Sequence, residues 1–151
     1  RSVDALGRRF EIGVSEGAVL SGAFARRRPS PRSNEPLHPL LREAVHQLRA
    51  YFAKRLRRFD LPLHLCGTGF QCDAWRLVAS LETGELISYA DVARAIGRPA
   101  AARGVALAMR TTPLDLLVPA HRVVGSDGTV RGAGPRSMRR RLLTFEGIVL
   151  R

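Results

Sequence analysis

The stretch Ser88–Met109, SYADVARAIGRPAAARGVALAM, decides how the chain is read. Ser88 suits a helix N-cap, because its hydroxyl accepts from an orphan backbone amide. Val92, Ala93 and Ile96 repeat at helical spacing, and Gly97 stops that helix where a left-handed residue is needed. Pro99 suits the first turn of a second helix, whose apolar positions are Ala102, Val105, Ala106 and Met109. Two short helices across a tight Gly-containing turn predict a helix-turn-helix. The second helix opens on small residues, Ala100, Ala101 and Ala102. Its backbone can therefore approach a partner closely, and Arg103 rises alone from the run before Gly104.

Pro113 ends that helix. The apolar run Leu116-Leu117-Val118 then enters Pro119-Ala120-His121-Arg122-Val123-Val124, a turn that sets a His at the wall of a pocket. His121 reads either as a proton carrier or as a core histidine held by a backbone carbonyl. Glu146 is its most plausible acidic partner. It lies at the end of a last helix that starts at Pro135, buries Met138, Leu142 and Leu143, and is capped at Gly147. Upstream, Thr68-Gly69-Phe70-Gln71 is a capping box, opening a helix with Phe70, Ala74, Trp75, Val78 and Leu81 as its inner stripe.

Nearer the start, Phe10, Ile12 and Val14 alternate, as do Ala18, Leu20, Gly22 and Phe24; Ser15-Glu16-Gly17 between them predicts a hairpin. Residues 26–36 carry three Pro, an Arg run and no periodicity, and are expected to form a mobile loop. Leu37, Leu40, Leu41, Val45, Leu48, Tyr51 and Phe52 describe an amphipathic helix. Phe59 to Leu65 alternate around Pro62 as an edge strand or connector. The expected division is 1–65 and 66–151. The fold class is α+β, with a small N-terminal hairpin-plus-helix domain before a mainly helical domain carrying a winged helix-turn-helix.

Basic residues number 25 against 13 acidic ones, for a net charge of +12, and all of them but Lys54 are Arg. Such a surface attracts polyanions, nucleic acid and anionic lipid first. No apolar run approaches the roughly 18 residues of a membrane span. Two Cys make no disulfide framework, and the four His show no ligand spacing. Arg1 rather than Met stands first, so the chain is expected to be a piece of a longer one.

Several of these segments together resemble the DNA-binding domain of the O6-alkylguanine-DNA alkyltransferases. They are Gly67-Thr68-Gly69-Phe70-Gln71 with Trp75, Ile87-Ser88-Tyr89, Gly97-Arg98-Pro99-Ala100, Ala102-Arg103-Gly104-Val105, Val118 through Val124, and Leu142-Leu143 with Glu146-Gly147. The resemblance implies a winged helix-turn-helix that binds the minor groove of duplex DNA and flips a damaged guanine out of the stack. Arg103 falls where the family's arginine fills the vacated space, and Tyr89 where its tyrosine turns the 3′ phosphate. Ala102, Gly104 and Arg110 fall on the DNA-binding helix. Tyr89, Thr112, Pro119, Ala120, His121, Arg122 and Val123 fall around the lesion pocket.

The chain departs from the family at the nucleophile. The cysteine that accepts the alkyl group is replaced by Ala120, which has no lone pair, although His121 and Glu146 of the relay persist. Thr112 stands where an Asn is usual. Cys66 and Cys72 do not fall at the base pocket of the resembled fold. The leading expectation is therefore a protein without transferase activity, most like the alkyltransferase-like proteins. It would bind O6-alkylguanine in double-stranded DNA and signal to nucleotide excision repair. One alternative is an O6-alkylguanine-DNA alkyltransferase inactivated by Cys-to-Ala replacement at position 120. Another is a helix-turn-helix transcriptional regulator, against which the Ala-rich helix offers few polar groups for base edges. No cofactor, metal or membrane partner is expected. The chain is expected to be monomeric and cytoplasmic, joining the nucleoid when bound to DNA.

Overall fold

The computed structural model describes residues 1–15, 17–25, 38–130 and 137–150. Two units divide the chain: Arg1–Leu65 with Pro113–Leu117, and Cys66–Thr112 with Val118–Arg151. Mixed α/β in class, the described residues form five helices and two small sheets.

In the first unit β1 (Ser2–Ala5), β2 (Arg8–Ser15) and β3 (Ala18–Phe24) pair antiparallel in that order. The expected hairpin is β2–β3, and β1 is additional. Its turn, Leu6-Gly7, lacks the Asn-Gly or Asp-Gly signature, yet Leu6 (φ 50°) and Gly7 (φ 73°) both adopt the left-handed conformation a two-residue hairpin loop requires. A bulge corrects the reading of β3. Gly13 pairs with Ser21 and Val14 with Val19, so Leu20 is skipped. One extra residue reverses the faces, and Val19 is fully buried while Leu20 is 40% exposed.

α1 (Pro39–Phe52) packs on this sheet through Ala44, Val45, Leu48 and Tyr51. The buried Gln47 amide holds the following segment by accepting from Asp60 N (2.8 Å) and donating to Asp60 O (2.9 Å). Leu37, Glu16 and the loop expected over 26–36 lie outside the described residues.

The expected boundary needs correction at Pro113–Leu117. Val19 N donates to Pro62 O and His64 N to Val19 O; further along the same edge Gly22 N donates to Pro113 O (3.0 Å) and Asp115 N to Gly22 O (2.8 Å). Unpaired edge groups of β3 are satisfied from both segments, so residues 113–117 belong with the first unit rather than with 66–151. Gly22 has no room for a side chain: a Cβ there would lie 2.9 Å from the Phe10 ring.

The second unit contains α2 (Gly69–Ala79), β4 (Ile87–Ser88), α3 (Tyr89–Ala95), α4 (Ala102–Thr111), a 3-10 turn (Ala120–Arg122), β5 (Val123–Val124) and α5 (Met138–Phe145). Thr68 and Gln71 complete the capping box of α2. Trp75 Nε1 donates to Ala108 O (2.9 Å), fastening α2 to α4. Ser88 caps α3 through Asp91 N, and Gly97 (φ 76°) ends it. α4 starts at Ala102, not at Pro99. Residues 98–101 instead form a turn closed from Ala101 N to Arg98 O, and Ala101 (φ −101°, ψ 27°) supplies no side-chain cap.

β4 and β5 pair parallel, Ile87 with Val123 and Ser88 with Val124. No antiparallel hairpin follows β5 among the described residues, so the expected wing is not built from them. α5 starts at Met138 under a Ser137 cap, and Pro135, its expected start, lies outside the described residues.

Candidate functional site

Pro119 (φ −78°, ψ 68°) turns the chain out of Val118. Bonds from Ala120 N to Val118 O (2.8 Å) and from Arg122 N to Pro119 O (2.9 Å) close the turn, and β5 pins its exit against β4. Pro119, Ala120, His121, Arg122 and Val123 are all buried.

Glu146 reaches this turn from the end of α5. Gly147 (φ 87°) lets the helix close on itself, with Gly147 N donating to Thr144 O and Ile148 N to Leu143 O. That pair of bonds satisfies the last carbonyls and leaves the preceding side chain aimed inward. His121 Nε2 lies 2.8 Å from Glu146 Oε1. Arg122 grips the same carboxylate with Nε to Oε2 at 3.0 Å and Nη2 to Oε1 at 2.6 Å. Its remaining donors meet Leu81 O (2.8 Å) and Thr83 Oγ1 (3.3 Å). The side chains of His121 and Glu146 are 2% and 0% exposed.

Buried charge is tolerated when paired and fully hydrogen-bonded. Here guanidinium and carboxylate cancel, so a third charge on His121 would be unbalanced. Burial pushes the His121 pKa below its ordinary value. The Glu146 carboxylate pulls the other way, and the Arg122 and Arg139 cations add to the lowering. The ring is therefore neutral. A carboxylate only accepts, so the shared proton belongs on Nε2. Nδ1 then keeps its lone pair, and no described residue bonds it. His121 is held neither by a backbone carbonyl nor free, but as one member of a three-residue buried network.

Arg122 is tied into the same network. Placed at the lesion pocket by resemblance, its guanidinium is spent on Glu146, Leu81 and Thr83. Nothing in its local spacing shows a partner 24 residues away.

α4 is built differently. Val105, Ala108 and Met109 face inward, while Arg103, Leu107 and Arg110, spaced i, i+4, i+7, form an exposed stripe. Leu107, 51% exposed, is absent from the expected set although that spacing marks it. Gly104 is half-buried. A Cβ there would lie 3.1 Å from the Phe70 ring, so its smallness is set by α2 packing against α4. Ala102 and Thr112 are half-buried at the two ends of the helix. Tyr89 opens α3 and is buried. Arg139 Nη2 donates to Met109 O (3.2 Å), tying α5 to the last turn of α4. A cavity of about 570 Å³ elsewhere in this unit is lined by Leu86, Val124, Thr129, Arg140, Leu143 and Ile148, among others. Among the described residues no His/Cys/Asp/Glu group could hold a metal ion, and no helix is long and apolar enough to cross a membrane.

Residues 69–148 match the family described as 6-O-methylguanine DNA methyltransferase, DNA binding domain. The Mycobacterium leprae methylated-DNA–protein-cysteine methyltransferase is 46% identical over 92 residues, which is 61% of this chain and 56% of that protein. The chain thus spans less than two thirds of that relative. In three dimensions it is similar to Mycobacterium tuberculosis OGT in complex with DNA, with a TM-score of 0.80 and 33% identity over 96% of this chain and 90% of that one. Schizosaccharomyces pombe Atl1, in complex with damaged DNA containing O6-carboxymethylguanine, gives a TM-score of 0.51 and 27% identity over 58% of this chain and 83% of that one.

These likenesses overturn two expectations. The chain sits nearer to the transferases than to Atl1 in coverage, TM-score and identity. Relatives at 41–46% identity are named methylated-DNA–protein-cysteine methyltransferases, so the reading as a protein outside enzymatic repair, signalling to another pathway, is withdrawn. Match over most of the second unit and likeness over both units agree: the chain belongs to the 6-O-methylguanine DNA methyltransferase family.

Proposed function

We propose that this chain is an O6-alkylguanine-DNA alkyltransferase in which Ala120 occupies the acceptor position, and that its substrate is alkylated guanine in duplex DNA. The observation that carries the reading is the buried His121–Glu146–Arg122 network on the turn that bears residue 120. A purely structural turn has no need of a neutral imidazole whose Nε2 is fixed by a carboxylate and whose Nδ1 keeps a lone pair. Acyl and alkyl acceptors need that arrangement, because a base oriented by a third group is what ionises a weak nucleophile.

With a thiol at position 120, the proton leaves sulfur for His121, directly or through a water. The thiolate attacks the alkyl carbon, a C–S bond forms, the C–O6 bond breaks, and guanine leaves with the electron pair before taking up a proton. Arg122 keeps Glu146 in place throughout, and Glu146 keeps Nε2 protonated. Ala120 presents a methyl group at this point, so sulfur is the one reacting atom the site lacks.

Delivery of the base belongs to α3 and α4, acting as a helix-turn-helix. The stripe Arg103–Leu107–Arg110 lies against the minor groove. Arg103 enters the space of the extruded guanine, where a planar cation can stack and pair. Tyr89 holds the rotated backbone from the start of α3.

Ala120→Cys tests this reading. Incubated with a duplex containing O6-methylguanine or O6-benzylguanine, the variant should gain the mass of one alkyl group, measured against the parent chain. Transfer should be slow, because a pocket shaped around Ala and braced by Thr112 can hold the carbon about 1 Å out of line, which costs on the order of a hundredfold. Tight lesion binding with no mass shift after long incubation overturns it.

A further inference from the structure

α1 buries one face and leaves a strongly basic one open. Ala44, Val45, Gln47, Leu48 and Tyr51 point inward. Arg42, His46 and Arg49 follow each other at i, i+4 and i+7 on the opposite side, all exposed, along about 10 Å of helix. Directly beyond the helix end come Lys54, Arg55, Arg57 and Arg58, also exposed. Between residues 38 and 59 the only acidic side chain is Glu43, whose Oε1 accepts from Gln47.

The ordinary reason for cations here is to complement the negative end of a helix. Backbone groups meet part of that need. Lys54, in the left-handed conformation at φ 59°, donates its N–H to Tyr51 O, and Arg55 donates to Ala50 O, both at 2.9 Å. Two carbonyls of the last α1 turn are therefore met by backbone, and gathering like charges around the terminus works against folding.

We infer that this ridge, Arg42–Arg49 with Lys54–Arg58, is a second docking surface for duplex DNA, gripping phosphates through the first unit independently of the family-matched region 69–148. The chemistry selects the partner. Arg dominates, and a guanidinium pairs with phosphate oxygens in a fork. Residues 38–58 carry no large exposed apolar side chain. The apolar residues that would enter a lipid surface are consumed in the core, so an interfacial helix is not available. Contacts of this kind carry no sequence or lesion information; they would hold the chain on DNA between lesions.

The test uses undamaged duplex, so it stands or falls separately from the alkyl-transfer reading. Arg42→Gln/Arg49→Gln/Arg55→Gln/Arg58→Gln leaves Lys54 and its turn untouched. Fluorescence anisotropy across a salt series should show the log K versus log salt slope shallower by about 0.9 for each phosphate contact removed, up to about 3.6, and affinity lowered at least about tenfold. Arg103→Ala, measured alongside, should leave most of that ridge-dependent slope in place. A folded quadruple variant with the parent's slope and affinity overturns the inference. So does a parent that binds phosphatidylserine vesicles through these residues while duplex binding is unaffected. Should the quadruple variant lose its circular dichroism, Arg55→Gln/Arg58→Gln, outside the helix, asks the same question with half the change.

Discussion

The turn at residues 119–122 and the open stripe of α4 lie in one unit and handle charge in opposite ways. At the turn, Arg122 and Glu146 are sealed in, cancel each other, and satisfy their donors and acceptors against His121, Leu81 and Thr83. On α4, Arg103 and Arg110 stand in solvent, and the helix begins without a side-chain cap or an acidic residue in its first turn. A sealed network fixes proton positions, because any other arrangement leaves a buried charge alone. An open stripe keeps its cations and orphan amides for whatever docks. Chemistry and recognition are thus separable by mutation.

The largest expected effect comes from unsealing the turn. Glu146→Gln preserves shape but leaves the Arg122 cation without its counter-charge, and should cost about 3–5 kcal/mol of stability. Replacing both partners, Arg122→Met with Glu146→Leu, should recover part of it, since no buried charge is left uncompensated, while His121 Nε2 and Leu81 O still lose their partners. Urea unfolding of the two single variants, the double variant and the parent gives the coupling. A Glu146→Gln loss below about 1 kcal/mol would mean water reaches the network and the contrast with α4 is false.

α4 should answer in the opposite currency of measurement, binding rather than folding. Arg103→Ala removes an exposed side chain, so unfolding should stay within about 0.5 kcal/mol of the parent. Binding to a lesion-bearing duplex should weaken by about 1–3 kcal/mol, read by anisotropy. Leu107→Ala should move binding less and stability no more. A melting temperature that falls for either variant would place the stripe in the core and erase the comparison.

Much of this contrast is legible in the sequence, for reasons that differ by segment. α2, α3 and α5 announce themselves through Thr68, Ser88, Gly97 and Gly147, whose caps act over three or four residues. His121 and Glu146 are paired in the sequence through family resemblance, and the structure supplies the 2.8 Å contact. What escapes is long-range or locally disguised. The Arg122 clamp spans 24 residues. Leu6 hides a hairpin by adopting a conformation usually left to Gly or Asn. The Leu20 bulge reverses a strand's faces, and the return of Pro113–Leu117 to β3 depends on backbone groups any residue could supply. Gly104 is a plainer lesson, since its sequence position does not show that a Cβ there would also crowd the Phe70 ring.

The smallest effect is a pH dependence carried by His121. Its folded pKa lies below its ordinary 6.5, first because burial disfavours the charged ring and then because Arg122 and Arg139 repel it, against the opposing pull of Glu146. The unfolded chain thus binds a proton at a higher pH than the folded one. Its contribution to stability is intact above about 6.5 and is lost as pH falls from there toward the lower folded value, at no more than about 1.4 kcal/mol per pH unit for one proton. His121→Gln removes the titration and keeps an amide that can donate to Glu146. Unfolding free energies of parent and variant, measured from about pH 7.5 down to about pH 5.5, should differ most at the alkaline end and converge as the parent's stability declines. Parallel curves would show that His121 titrates alike in both states, so that solvent at the ring or the pull of Glu146 fully offsets burial. The network would then not hold the ring neutral, and Nδ1 would not be kept ready.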